Sequence, residues 1–167
     1  MSYEAHKRLT RERPVRCAVL TVSDTRTEAT DKSGALMRSR LTEAGHEVVA
    51  YRILPDEPAR ITAWLDEWAG EAEALLLNGG TGISRRDTTY EAVAARLEKT
   101  LPGFGELFRM LSYEEIGAGA MLSRAVAGVY RGALVFSTPG STGAVRLALD
   151  RLILPELNHL VRELTRQ

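Results

Sequence analysis

The stretch VRCAVLTV (15–22) is apolar almost without interruption. A strand with one wet face alternates apolar and polar residues, whereas a strand covered on both faces does not. ALLLN (74–78) and ALVFST (133–138) repeat the feature. Between them lie segments with helical periodicity. DKSGALMRSRLTEAG (31–45) opens on Asp31, a good capping residue, and closes at Gly45, which predicts a helix. HEVVAYRIL (46–54) reads as a second strand, and ARITAWLDEWAG (59–70) sets Ile61, Trp64, Leu65 and Trp68 on one helical face. TTYEAVAARLEK (88–99) is a third helix, for which Thr88 and Glu91 make a capping box. Strands alternating with helices in this way indicate βαβ units.

In the second half, FGELFRMLSYEEI (104–116) is expected to be helical, and MLSRAVAGVYRG (121–132) to form a hairpin or short extended pieces. PGS (139–141) then turns into a helix, which Pro155 is expected to break before a last helix. The fold expected is α/β: a three-layer, doubly wound, mostly parallel sheet with helices on both faces. Residues 1–14 form an N-terminal arm, and 15–167 form one domain around a single sizeable core.

Lys plus Arg and Asp plus Glu both number 22, so no global charge draws this chain to nucleic acid or a membrane surface. No apolar stretch approaches the length of a membrane span, and MSYEAHKRLTRERP has no secretory core. Cys17 is the only cysteine, so an intrachain disulfide is impossible and a cytoplasmic location is expected. His6, His46 and His159 share no ligand spacing, which leaves zinc without support. Cys17, Trp64 and Trp68 read as core packing.

In open parallel sheets, ligands bind beyond the carboxyl ends of the strands. Four segments follow strands in that way: SDTRTEATD (23–31), PDE (55–57), GGTGISRRD (79–87) and TPGS (138–141). Gly79, Gly80, Thr81 and Gly82 carry the strongest signal. Three glycines in four positions let the backbone approach a ligand, and successive N–H groups can cradle an anion. The pattern is neither a Walker A loop nor a dinucleotide fingerprint. With Thr88 capping the helix, Asp87 is released to bind Mg²⁺ or substrate. Asp56, taken alone, is better read as a cap of the helix after Pro58, whereas Asp24 has no comparable helix to cap, with an Asx turn as the alternative to a ligand contact. Arg26, Arg85 and Arg86 are candidates for phosphate, and Ser141 suits a cap or a phosphate contact equally.

The motifs TVSDTR, PDE, GGTGISRRDTT, GFGELFRMLSYEEIG, LSRAVAG and TPGS stand in this order from about residue 15 to the final helix. In them the chain resembles the MoaB/MogA family and the G domain of gephyrin-type proteins. The resemblance implies molybdopterin binding in molybdenum cofactor biosynthesis and, in active members, Mg²⁺-dependent transfer of AMP from ATP to the pterin's phosphate. It implies Asp56 and Asp87 as catalytic residues, with Asp87 holding the metal. Ser23, Asp24, Gly79, Gly80, Thr81, Gly82, Arg86, Pro139, Gly140 and Ser141 are the implied contacts to substrate and phosphate. It also implies a homo-oligomer, trimer or hexamer. Adenylylating relatives of the MogA branch commonly carry PGxPK where this chain has Pro139-Gly140-Ser141-Thr142-Gly143. The missing lysine places the chain nearer the MoaB branch and keeps a second reading open, a non-catalytic pterin-binding or carrier protein. A flavodoxin-like carrier fits poorly, because Asp24, Glu28 and Asp31 would repel a flavin phosphate.

Overall fold

The computed structural model describes Tyr3 and residues 13–166, so most of the expected N-terminal arm lies outside the described residues. The chain runs β1 (Arg16–Val22), α1 (Lys32–Glu43), β2 (Glu47–Leu54), α2 (Pro58–Trp68), β3 (Ala74–Asn78) and α3 (Thr89–Ala94). It continues through β4 (Lys99–Thr100), α4 (Pro102–Ile116), a 3₁₀ segment (Gly117–Leu122), β5 (Val126–Tyr130) and β6 (Ala133–Thr138). It ends with α5 (Thr142–Ala148), a π-helical turn (Leu149–Ile153) and α6 (Leu154–Thr165).

One six-stranded sheet has the order β2-β1-β3-β6-β5-β4. β1, β2, β3 and β6 are parallel, with β5 antiparallel to β6 and β4 antiparallel to β5. After β1 the chain steps outward to β2, then crosses back to place β3 on the other side of β1. The switch point therefore lies between β1 and β3, where a ligand crevice opens in this architecture.

The unbroken apolar runs have a direct cause. Alternate residues of the central strands enter two separate cores, one on each face of the sheet, rather than the single core expected. Cys17, Val19, Leu76 and Phe136 pack with Met37 and Leu41 of α1, Phe104 and Phe108 of α4, Val145 of α5 and Leu157 of α6. Ala18, Leu20, Leu75, Leu77 and Val135 pack against Ile61, Trp64 and Leu65 of α2 and Val93 of α3. The result is the expected three layers. Trp64 and Trp68 belong to the second core, and burial pushes the Cys17 thiol up to about 12, which keeps it inert.

Asp31 caps α1 as expected, accepting from the Gly34 N–H at 2.9 Å. Three expectations about individual elements need correction. The helix expected over 88–99 stops at Ala94, because the chain turns to pair with the free edge of β5. The N–H groups of Glu98 and Leu101 donate to Val129 and Ala127. Gly128 makes the approach possible, since a Cβ there would lie 2.2 Å from the Lys99 carbonyl oxygen. Pro155 does not break the C-terminal helix. The backbone stays helical through the π turn, and Pro155 sits in the first turn of α6, where a missing N–H is tolerated. The segment 121–132 does not form a hairpin by itself: Met121 and Leu122 end the 3₁₀ segment and 126–130 form one strand, β5, which pairs with β6 beyond the segment. β5 joins β6 through Arg131 and Gly132, both at positive φ (46° and 76°), as a two-residue hairpin turn requires.

Candidate functional site

The loops after β1, β3 and β6 meet at the carboxyl edge of the sheet. Gly79 donates to the Thr138 carbonyl at 3.0 Å. A Cβ on Gly79 would lie 2.2 Å from the Val22 carbonyl, and one on Gly140 would lie 3.1 Å from the Gly79 Cα. The three strand ends thus touch backbone to backbone, and only glycine fits. Gly79 and Gly80 have φ of +98° and +67°, values a side chain strongly disfavours.

These loops wall a cleft of about 430 Å³. Of the residues expected from sequence, Ser23, Gly79, Gly80, Thr81, Gly82, Asp87, Pro139, Gly140 and Ser141 line it. The backbone N–H groups of Gly80, Thr81 and Gly82 donate to nothing among the described residues, so they remain available to an anion. The Ser33 hydroxyl holds the Gly140 carbonyl at 2.7 Å. Ser141 takes the capping role, accepting from Ala144 N–H at 3.2 Å.

The acidic residues separate. Asp87 lines the cleft, and its Oδ2 accepts from Ser84 N–H at 3.1 Å and from the Ser84 hydroxyl at 2.5 Å. Its Oδ1 has no partner among the described residues. Asp56 is buried behind the glycine loop and lies outside the cleft lining. A Cβ on Gly80 would meet its Oδ2 at 2.3 Å. Asp56 accepts from the Thr88 hydroxyl at 2.6 Å and from the Thr88 N–H at 3.2 Å. It does not cap α2, whose N-cap position is Glu57. Its own N–H donates to Asp24 Oδ1 at 3.1 Å.

That arrangement overturns the capping box. Thr88 occupies the N-cap position of α3 but makes no side-chain cap bond, because its hydroxyl is spent on the buried Asp56 carboxylate. Glu91 pairs instead with Arg124, which holds its carboxyl below the usual range. Asp87 is still free of capping, for a different reason than expected.

Asp24 and Arg86 form a forked ion pair at 2.6 and 2.7 Å outside the cleft lining. Arg86 holds the Asp24 carboxyl at about 2. Arg86 is therefore turned toward Asp24 rather than into the cleft. Arg26 does line the cleft and has no acidic partner among the described residues.

The far wall was not assigned from sequence. Phe108, Ser112 and Ile116 of α4, then Ala120, Leu122 and Ser123, close the cleft with a largely apolar surface. Their signal was present in the motifs GFGELFRMLSYEEIG and LSRAVAG, whose periodicity suggests a helix but does not say what its inner face meets.

No group of three or more His, Cys, Asp or Glu side chains among the described residues is placed to hold a metal. The donor set nevertheless suits Mg²⁺ in the way that ion is bound beside phosphates, with one or two protein carboxylates and the rest of its oxygens from substrate and water. Asp87 Oδ1 is the oxygen in this cleft that could serve as that carboxylate ligand. No helix among the described residues is long and apolar enough to cross a membrane.

A family model described as "Probable molybdopterin binding domain" matches residues 18–159. The chain belongs to this family of molybdenum cofactor biosynthesis proteins. It is 57% identical over 169 residues to molybdenum cofactor biosynthesis protein B of Halalkalibacterium halodurans, covering 98% of each chain. A crystal structure of a molybdenum cofactor biosynthesis protein B superposes with a TM-score of 0.90 at 54% identity, covering 93% of this chain and 98% of the other. The tungsten cofactor synthesizing protein MoaB from Pyrococcus furiosus superposes at 0.82 with 39% identity, covering 90% and 97%. These likenesses accord with the mostly parallel α/β sheet.

Proposed function

We propose that the cleft binds molybdopterin by its phosphate and that the protein transfers AMP from ATP to that phosphate, releasing pyrophosphate. The observation that carries the reading is one juxtaposition. Unpartnered amides of Gly80, Thr81 and Gly82 and an open carboxylate oxygen of Asp87 line the same cleft. The amides hold phosphate oxygens, Arg26 offsets their charge, and the apolar wall of Phe108, Ile116 and Leu122 accepts the flat pterin. Asp87 would hold Mg²⁺, which neutralises phosphate charge when bound. In the transfer, an oxygen of the pterin phosphate bonds to the α-phosphorus of ATP while the bond to the bridging oxygen of pyrophosphate breaks. The protein's part is to align the two phosphates, and no enzyme nucleophile is needed.

A second reading, a pterin-binding or carrier protein without turnover, draws on two observations. Gly143 stands where adenylylating relatives of the MogA branch commonly carry lysine, and both oxygens of Asp56 are engaged by Thr88. We further propose that copies associate into a trimer or hexamer through the outer face of α4, where Leu107, Met110 and Tyr113 are 47%, 53% and 63% exposed. A reducing cytoplasm suits the lone, inert Cys17. The test is incubation with molybdopterin, ATP and Mg²⁺ with detection of adenylylated pterin and pyrophosphate. Pterin binding without product supports the second reading, and absence of binding sinks both.

A further inference from the structure

The glycine loop has a front and a back. Its front is the cleft. At its back lies Arg124, just beyond the 3₁₀ segment and outside the cleft lining. The Arg124 Nε donates to the Thr81 carbonyl at 3.0 Å, and its Nη2 donates to the Gly82 carbonyl at 2.5 Å and to the Asp87 carbonyl at 3.3 Å. A single guanidinium therefore gathers three carbonyls from the two ends of the loop. It is itself fixed from the other side, by the Glu91 carboxylate and by the Tyr90 ring 5.0 Å below its Cζ.

The consequence follows from peptide geometry. In a planar trans peptide the N–H points opposite to the C=O of the same unit. Holding the Thr81 carbonyl toward Arg124 turns the Gly82 N–H away from it, and holding the Gly82 carbonyl does the same for the Ile83 N–H. The preceding unit is set in the same manner by Thr89, whose N–H donates to the Gly80 carbonyl at 3.1 Å and so orients the Thr81 N–H. With glycines at positions 80 and 82, nothing in the loop's own side chains resists rotation of these units. A cation bonded to a carbonyl also draws electron density through the amide, making its N–H a stronger donor.

We propose that Arg124 is the positioning residue of the anion cradle, orienting and polarising the Gly82 amide through the Thr81 carbonyl and bracing the loop beside it through the Gly82 and Asp87 carbonyls. The proposal rests on the reading of the loop as a phosphate site, and it adds that the cradle's competence comes from a residue that never touches the ligand. It also gives Glu91 a purpose that helix capping does not supply.

The test uses the full chain with inorganic pyrophosphate as the probe, titrated by ³¹P NMR well below the melting temperature, alongside hydrogen exchange across residues 79–88. Arg124→Gln should weaken pyrophosphate binding on the order of tenfold or more, the loss expected when charge-assisted hydrogen bonds disappear. It should also speed exchange at residues 80–83. Arg124→Lys, with its charge retained but its fork removed, should restore only part of the affinity. An Arg124→Gln protein with wild-type affinity and exchange overturns the proposal, and so does full restoration by lysine, which would make Arg124 a mere nearby charge. Should Arg124→Gln fail to fold, the lysine variant decides alone. If the wild-type chain takes up no pyrophosphate, the phosphate-site reading fails separately. Exchange then decides the role of Arg124: faster exchange in the variants supports the positioning, and unchanged exchange overturns it.

Discussion

Asp56 and Asp87 both lie in loops that lead from a strand to a helix, yet their surroundings separate them. Asp87 sits on the cleft with one oxygen engaged only by Ser84. Asp56 is buried and satisfies both polar groups of Thr88 across 32 positions of sequence. Asp87→Asn should leave the melting temperature within the small range of a surface change, because the amide oxygen still accepts from Ser84. Adenylyl transfer should fall by about two orders of magnitude or more, the effect of removing one electrostatic stabiliser, while pterin binding persists. Asp56→Ala should instead strip the Thr88 N–H and hydroxyl of their acceptor and destabilise the fold by about 1–3 kcal/mol. Thermal melts beside product assays separate the two, and a large melting shift in Asp87→Asn would make that residue structural. Sequence alone showed the glycine loop, because positive φ and close approach demand glycine. It could not show where Asp56 points, since its partner is set by the return of the chain from α2 through β3 and not by any local spacing.

At the scale of elements, the strands were legible because an apolar run covered on both faces leaves few alternatives, and β3 and β6 fall on the expected residues. The helices were legible where a cap was local, as at Asp31, and misread where tertiary pairing competed. In TTYEAVAARLEK the composition favours helix to the end, yet the edge of β5 offers Glu98 and Leu101 backbone partners that a longer helix would forgo. Gly128 is the residue that permits it, and periodicity does not reveal why a glycine is needed there. Gly128→Ala drives a Cβ to 2.2 Å from the Lys99 oxygen and to 2.9 Å from Leu97. Overpacking against backbone costs about 1–3 kcal/mol. Denaturant unfolding should show a loss in that range, with the β4 segment fraying first by hydrogen exchange. A variant as stable as wild type would mean that the β4–β5 contact contributes little to the fold.

For the molecule as a whole, α4 links the cleft to the outer surface. Its inner residues Phe108, Ser112 and Ile116 form the cleft wall, and the outer residues Leu107, Met110 and Tyr113 recur every third position along it. Met121, 77% exposed in the adjoining 3₁₀ segment, extends the apolar surface. A stripe of this kind is what the proposed association would bury, because water leaves apolar surface on contact. On the proposed association the same helix serves two surfaces, and covering its outer face should steady the cleft wall proposed to receive the pterin. Met110→Glu places a charge in the middle of the stripe without touching the cleft. Light scattering coupled to size exclusion should show the wild-type chain as a multimer and the variant shifted to smaller species. Pterin affinity measured on the same samples should fall several-fold in the dissociated form, since ordering α4 then falls to the ligand alone. A monomeric wild-type chain would remove the association altogether. A dissociated variant with unchanged affinity would show that α4 is fully ordered by its own packing against Phe104, Phe136 and the first core, so that cleft and contact face share a helix without sharing a free energy.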